Sequence, residues 1–352
     1  MDYVTHIVTG ATGYRLIKTN SIELLSRFQE RTRSVCAGLF FLASVLPDVD
    51  NISRLWGMDA YIIHHRGITH SLPFAFISSF LLALAFAKSS GMASIVAVFI
   101  VTLLGMLFHL YMDLITSYGT QLLLPFTNHR FRLDWVFIID PIYTFVLAIV
   151  LLLSFVLTGK KPALSSAFSG SYTISRPAKN LITWIFVLWV IIYPVCCGIL
   201  RFSAAGFLSK ANPALLASEF DLVPDLGTPF IWKLVVRENN TYHVGSVNII
   251  RKSVDFADQK FTPLDEVLSD RLSEELPSLK IYRWFAVYPY QRIWRDDGKE
   301  KILEIGDVRF FSPLRIIQSR RSNPPFTLFI KLSESGRPIS LSYGRPPLSS
   351  GR

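Results

Sequence analysis

Two stretches of this chain, Gly91 to Phe108 and Leu181 to Leu200, contain no charged side chain. Leu72 to Ala87 is apolar apart from serines and a proline, and Trp135 to Leu157 carries one charge, Asp140. A helix needs about 20 mostly apolar residues to cross the hydrocarbon core of a bilayer. Four such segments predict a multi-pass membrane protein. The run Val35 to Leu46 is too short to cross alone and predicts a buried or re-entrant helix. The mean hydropathy of +0.37 agrees with this and argues against an ordinary soluble protein.

Past about residue 205 the pattern changes. Phe230–Arg237 and Thr241–Ile250 flank Glu238-Asn239-Asn240 as strand, turn and strand. Gln291–Trp294 and Lys301–Ile305 flank Asp296-Asp297-Gly298 as a hairpin. Leu279–Tyr288, Val308–Phe311 and Phe326–Leu332 add strand candidates, and Leu264–Leu276 a short helix. The expected architecture is an α-helical integral membrane domain over 1–205, with about four spans plus the short helix. A small β-rich α+β soluble domain follows over 206–336, and a disordered Ser/Gly/Pro/Arg tail over 337–352. The stretch Lys160–Asn180 is expected as a loop between the third and fourth spans.

The net charge is +10. With four spans, Arg15, Lys18, Arg27, Arg31, Arg33, Arg54, Arg66, Arg130 and Arg132 fall on one side, and Lys88, Lys160, Lys161, Arg176 and Lys179 on the other. The positive-inside rule then favours the first side as cytoplasmic. The basic balance suits anionic lipid heads. No basic–aromatic array marks a nucleic-acid module, and none is expected as partner. Asp2, Arg15 and Lys18 interrupt the first apolar stretch, against a cleavable signal peptide. Cys36, Cys196 and Cys197 sit in apolar runs as packing residues.

The groups that bind hard or borderline metals collect at the ends of the apolar segments. Asp48 and Asp50 follow Pro47 after the short helix, and His64, His65 and His70 surround Arg66 and Gly67 just before the second run. His109 and Asp113 close the next run, four residues apart and hence on one helix face. Asp140 opens the third. Two steps across the bilayer return the chain to the same face, so His70, His109, Asp113 and Asp140 meet at one membrane surface. Imidazole and carboxylate together suit Zn²⁺, with Mn²⁺ or Fe²⁺ also admitted. His70 is the preferred ligand of its loop and His65 the next, with His64 behind them. Asp140 needs a partner near the membrane. Arg66 suits an anionic substrate oxygen. His6 gains interest because the cluster has room for another imidazole. Taken singly, each feature has a bland alternative: a solvated Asp-x-Asp turn, a helix cap, a His–Asp hydrogen bond closing a helix.

Leu-Pro-Asp-Val-Asp (46–50), His-Arg-Gly-Ile-Thr-His-Ser (65–71) and His-Leu-Tyr-Met-Asp-Leu-Ile-Thr-Ser-Tyr-Gly-Thr (109–120) resemble the motifs of the YdjM-like family. Its members are described as inner-membrane-associated metal-dependent hydrolases, some with a LexA-binding label for which no residue pattern here encodes the contact. The resemblance covers about residues 1–155. It implies His6, Asp48, Asp50, His65, His70, His109 and Asp113 as metal ligands. The expectation is a bacterial inner-membrane hydrolase whose metal-activated water attacks a lipid or amphipathic ester or phosphoester. Asp50 would take the proton and Arg66 would stabilise the developing negative charge. The competing readings are a membrane scaffold with a structural metal and a C-terminal domain that binds a protein partner, and a transporter, which would need polar residues through the membrane depth.

Overall fold

The computed structural model describes residues 1–19, 22, 25, 27–87, 92–158, 176–211, 219–314 and 324–347. The chain divides into two compact units. The first is Met1–Asn51 with Arg66–Gly198, and the second is Ile52–His65 with Ile199–Arg352.

The first unit is helical. Helix α1 (Tyr3–Lys18) starts at Asp2, whose side chain accepts the Thr5 N–H. Helix α2 (Glu30–Val45) runs antiparallel to it. Gly10 faces Ser44, Gly13 faces Phe40, and Lys18 donates to Ser34 Oγ at 2.6 Å. A Cβ on Gly13 would lie 2.0 Å from the Phe40 ring, so only glycine admits this approach. Pro47 has no N–H to continue the α pattern, and the chain tightens into a 3₁₀ segment, Leu46–Trp56, that carries Asp48 and Asp50.

Helix α3 (Met58–His64) belongs to the second unit. Helix α4 (Leu72–Ala87) starts where Ser71 Oγ accepts the Phe74 N–H. Helix α5 (Met92–Leu114) packs on α2 through Gly105, where a Cβ would meet the Phe40 carbonyl at 2.8 Å. Helix α6 (Pro141–Thr158) has Pro141 in its first turn and Asp140 capping the Tyr143 N–H at 2.8 Å. Helix α7 (Arg176–Ala211) contains Pro194, and Gly198 lies against the Trp135 indole.

Among the described residues, three helices are long and apolar enough to cross a membrane: Glu30–Trp56, Met92–Leu114 and Asn180–Lys210. The bent pair Met58–His70 with Leu72–Phe86 makes a fourth if counted as one span. The expected runs therefore shift. Val35–Leu46, read as too short, is the middle of a span once Glu30–Ser34 and the 3₁₀ turns are added. Pro141–Val156 is shorter than expected because Asp140-Pro141 starts the helix late. The loop expected at Lys160–Asn180 falls mostly outside the described residues, and α7 already begins at Arg176.

Paired residues also fix the directions of the helices. Thr5 meets Thr144 at 2.6 Å, while Arg15 lies over the Phe155 ring at 4.3 Å, so α1 and α6 run parallel. Gly13 and Gly105 both meet Phe40, while Met1 lies on Asp113, so α5 runs against α1. Arg15 and Lys18 therefore lie at the end of the helices remote from His109, with the start of α2. This separates Arg15, Lys18, Arg27, Arg31 and Arg33 from the histidine motifs they were counted with.

The second unit is built on an eight-stranded antiparallel sheet in sequence order. Its strands are β1 (Glu219–Pro224), β2 (Ile231–Glu238), β3 (Thr241–Asn248), β4 (Ser253–Pro263), β5 (Pro289–Asp296), β6 (Glu300–Asp307), β7 (Leu328–Ser333) and β8 (Pro338–Tyr343). The expected hairpins pair as β2–β3 around Glu238↔Thr241 and β5–β6 around Asp296↔Lys301. Helices α8 (Glu266–Glu275) and α9 (Pro277–Phe285) stand between β4 and β5. The strand expected over Leu279–Tyr288 is α9, because Pro277 opens a helix and Leu279, Tyr282 and Phe285 recur every third residue as its buried face. Val308–Phe310 is a 3₁₀ turn capped by Asp307. β8 lies inside the expected disordered tail and pairs with β7. Helix α3 belongs here too: Ser278 donates to Asp59 at 2.5 Å and Tyr343 at 2.7 Å.

Candidate metal centre

The 3₁₀ segment, the turn before α4 and the end of α5 converge in the first unit. His70 Nε2 and His109 Nε2 lie 3.1 Å apart. His70 Nε2 is 3.6 Å from Asp48 Oδ1 and 3.1 Å from Asp113 Oδ2, and His109 Nε2 is 3.8 Å and 3.6 Å from the same two atoms. Four donors bonded tetrahedrally at zinc distances stand about 3.3–3.6 Å from one another. The observed set brackets that range. Asp48, His70, His109 and Asp113 form a group that could hold a metal ion.

The ring nitrogens are assigned from their partners. His109 Nδ1 lies 2.8 Å from the Ser44 carbonyl, which can only accept, so Nδ1 carries the proton. His70 Nδ1 lies 2.9 Å from Asp50 Oδ2, which likewise takes the Nδ1 proton. His70 Nε2 faces both His109 Nε2 and Asp113 Oδ2 at 3.1 Å. Asp113 Oδ2 is buried beside them with no hydrogen-bond donor aimed at it. Imidazole and carboxylate donors packed this closely away from water need a cation or a shared proton between them. The donor set therefore fits a divalent metal.

The surrounding groups orient the donors. Asp50 Oδ2 accepts the Arg66 N–H at 3.0 Å and the Thr69 hydroxyl at 2.8 Å besides the His70 contact. Arg66 is buried, with Nη2 on Asp113 Oδ1 at 2.9 Å and Nη1 donating to Thr116 Oγ1 at 2.9 Å and the Asp113 carbonyl at 3.2 Å. Its φ of 58° is left-handed, a strained conformation for a residue with a side chain, and its guanidinium lies over the Tyr118 ring at 4.8 Å. His6 Nε2 approaches Asp113 Oδ1 at 3.2 Å, and its ring stacks on His109 at 3.8 Å. The Met1 amine also lies on Asp113 Oδ1. Asp48 is the most open of the four, its side chain 13% exposed against 1% or less for the others.

The other expected residues stand around these four. Asp50, expected as ligand and proton acceptor, has Oδ2 on the Arg66 N–H, the Thr69 hydroxyl and His70 Nδ1. Arg66, expected to meet the substrate's developing charge, has Nη2 on Asp113. His6 binds Asp113 rather than standing among the four converging donors. Asp140 caps α6 and accepts the Tyr193 hydroxyl at 2.9 Å, an interaction of the helix end rather than of the cluster. His64 is exposed, and His65, buried, stacks on Tyr61 at 4.7 Å within the second unit. Sequence reasoning missed the Ser44 carbonyl and Thr116. A carbonyl leaves no mark in a sequence, and Thr116 is distinguished only by standing three residues after Asp113, whose carbonyl it also binds at 2.8 Å.

The sequence model of a family described as "YdjM inner membrane protein" matches residues 1–204, which include every residue of the cluster. The chain is also similar to "Uncharacterized protein YfhP" of Bacillus subtilis (strain 168), 31% identical over 98 residues, which are 28% of this chain and 30% of that protein. The match thus spans less than a third of that relative. No solved structure matches the chain.

Proposed function

The chain belongs to the YdjM inner membrane protein family, and on that premise we propose that it is a membrane-bound metal-dependent hydrolase. The observation that carries this is the convergence of two imidazole nitrogens, 3.1 Å apart, with carboxylate oxygens of Asp48 and Asp113, all within 4.8 Å of one another. Asp48, His70, His109 and Asp113 hold the ion, with Zn²⁺ the best fit to two imidazoles and two carboxylates and Mn²⁺ or Fe²⁺ next. A bound ion of this kind supplies a water of lowered pKa and polarises an ester or phosphoryl oxygen. Asp50 turns His70 and the Ser44 carbonyl turns His109, as outer partners of metal-bound histidines do. Arg66 and His6 hold Asp113. Asp48, on the open side, marks where water and substrate arrive. A cluster at the ends of membrane-length helices suits a lipid or an amphipathic ester or phosphoester.

One observation favours a second reading. Four buried protein donors are the number that closes a structural zinc site. The ion would then brace the helices of a scaffold whose second unit recruits a protein partner. The test is turnover of purified full-length protein on lipid and phosphoester panels, with Co²⁺ substitution read by absorption spectroscopy. The hydrolase predicts turnover lost to a chelator and restored by metal, with a five-coordinate Co²⁺ spectrum. A four-coordinate spectrum with no turnover across the panels would favour the scaffold.

A further inference from the structure

The helices that carry the cluster also sort the basic side chains between the two membrane faces. The candidate spans Glu30–Trp56, Met92–Leu114 and Asn180–Lys210 all run toward the cluster face. Ser44 and His109 lie near the ends of α2 and α5, and α7 runs with α5, because Phe108 meets the Phe186 ring and Tyr111, further along, donates to the Ile191 carbonyl. The remote face therefore receives the starts of these spans and the end of α1. Arg15 reaches the Phe155 ring there, Lys18 binds Ser34, and Arg33 Nη1 donates to the Phe28 carbonyl at 2.6 Å. Arg27 and Arg31 are exposed beside them. In sequence, Lys88 and Lys160-Lys161 separate helices that end and start at this face, and Arg176 and Lys179 open α7.

At the cluster face the basic residues are fewer and mostly engaged. Arg66 is buried on Asp113, Arg132 is paired with Asp134, and Arg130 donates to the Gly119 carbonyl at 3.1 Å. The positive-inside rule weighs Lys and Arg close to the spans. Reassigning Arg15, Lys18, Arg27, Arg31 and Arg33 reverses the majority counted with four spans. Long domains cross largely regardless of their charge, so the basic residues after α7 carry little weight in the count.

We infer that the His/Asp cluster opens on the extracytoplasmic face of the membrane. Its substrate is then a lipid-borne or amphipathic ester or phosphoester displayed on that face, not a cytoplasmic metabolite. The substrate class rests on the hydrolase reading; the sidedness rests on the helix directions and the basic residues they assign to each face.

The test uses full-length protein with Cys36, Cys196 and Cys197 replaced by Ala, and one reporter cysteine at a time. Phe126→Cys lies in the loop between α5 and α6, where Phe126 is 81% exposed; Glu30→Cys lies at the exposed start of α2. A membrane-impermeant maleimide is applied to spheroplasts before and after permeabilisation. The inference predicts that Phe126→Cys is labelled in intact spheroplasts and Glu30→Cys only after permeabilisation. The reverse pattern overturns it, and so does labelling of both positions in intact spheroplasts. Metal content of the same variants separates the two claims. Bound metal with reversed labelling would reject the sidedness and leave the metal centre standing; predicted labelling without metal would do the converse.

Discussion

His70 and His109 each have one ring nitrogen held by a backbone or carboxylate acceptor, and that contact aims the other nitrogen into the cluster. Asp50 therefore acts through His70. Asp50→Asn should weaken metal binding by about 10–100-fold, the usual effect of losing an outer partner of a metal-bound histidine, in competition against a chelator of known affinity. A loss as complete as that of His109→Ala would make Asp50 a direct ligand instead. Arg66 balances a carboxylate buried to 1% exposure. Arg66→Ala should lower stability by about 3–5 kcal/mol in metal-free protein, because it strands that charge. Added metal should narrow the gap, since a cation on Asp113 replaces part of the lost attraction. Thermal unfolding with and without Zn²⁺ reads both effects, and an equal loss in the two states would contradict this role.

Helix packing sets where those side chains can stand. Gly105 brings α5 against the Phe40 backbone, one turn before the Ser44–His109 bond. Gly105→Leu should push α5 off α2, with about 1–3 kcal/mol of overpacking strain and weaker metal binding. Gly38→Leu in α2 meets nothing within 4 Å and should change neither, which makes it the matched control for thermal unfolding and metal titration. The motif-bearing residues of the cluster were legible in the sequence because metal donors at the ends of apolar runs are rare, and the i, i+4 pair His109/Asp113 declared its helix face. Ligand and orienting partner were not separable, since Asp48 and Asp50 differ only in which way a 3₁₀ turn aims them. Elements were legible where a period was clean, as in β2–β3 and β5–β6. Leu279–Tyr288 misled because aromatic and β-branched residues suggest a strand while the buried positions recur every third residue. Val35–Leu46 misled because flanking polar residues belong to the same helix and its 3₁₀ extension.

For the whole molecule, Ile52–His65 belongs to the sheet unit, although both of its neighbours in sequence serve the helical one. Asp59 accepts from Ser278 and Tyr343, and burial followed by the Asp59 carboxylate pushes the Tyr343 phenol above its ordinary range, so it stays a donor. Asp59→Ala should leave both hydroxyls without this acceptor and destabilise the second unit by about 1–3 kcal/mol, seen as faster proteolysis near β8 with metal content unchanged. Metal lost together with β8 would mean that the two units stand or fall as one. The central claim is that the donors converging from the 3₁₀ segment, the turn before α4 and the end of α5 hold a metal ion in the YdjM membrane domain. Elemental mass spectrometry of detergent-purified wild type beside His109→Ala tests it most directly. The account predicts stoichiometric metal in the wild type and none in a variant that still inserts in the membrane. Well-folded wild type that holds no metal even after reconstitution, or equal metal in both proteins, would contradict it.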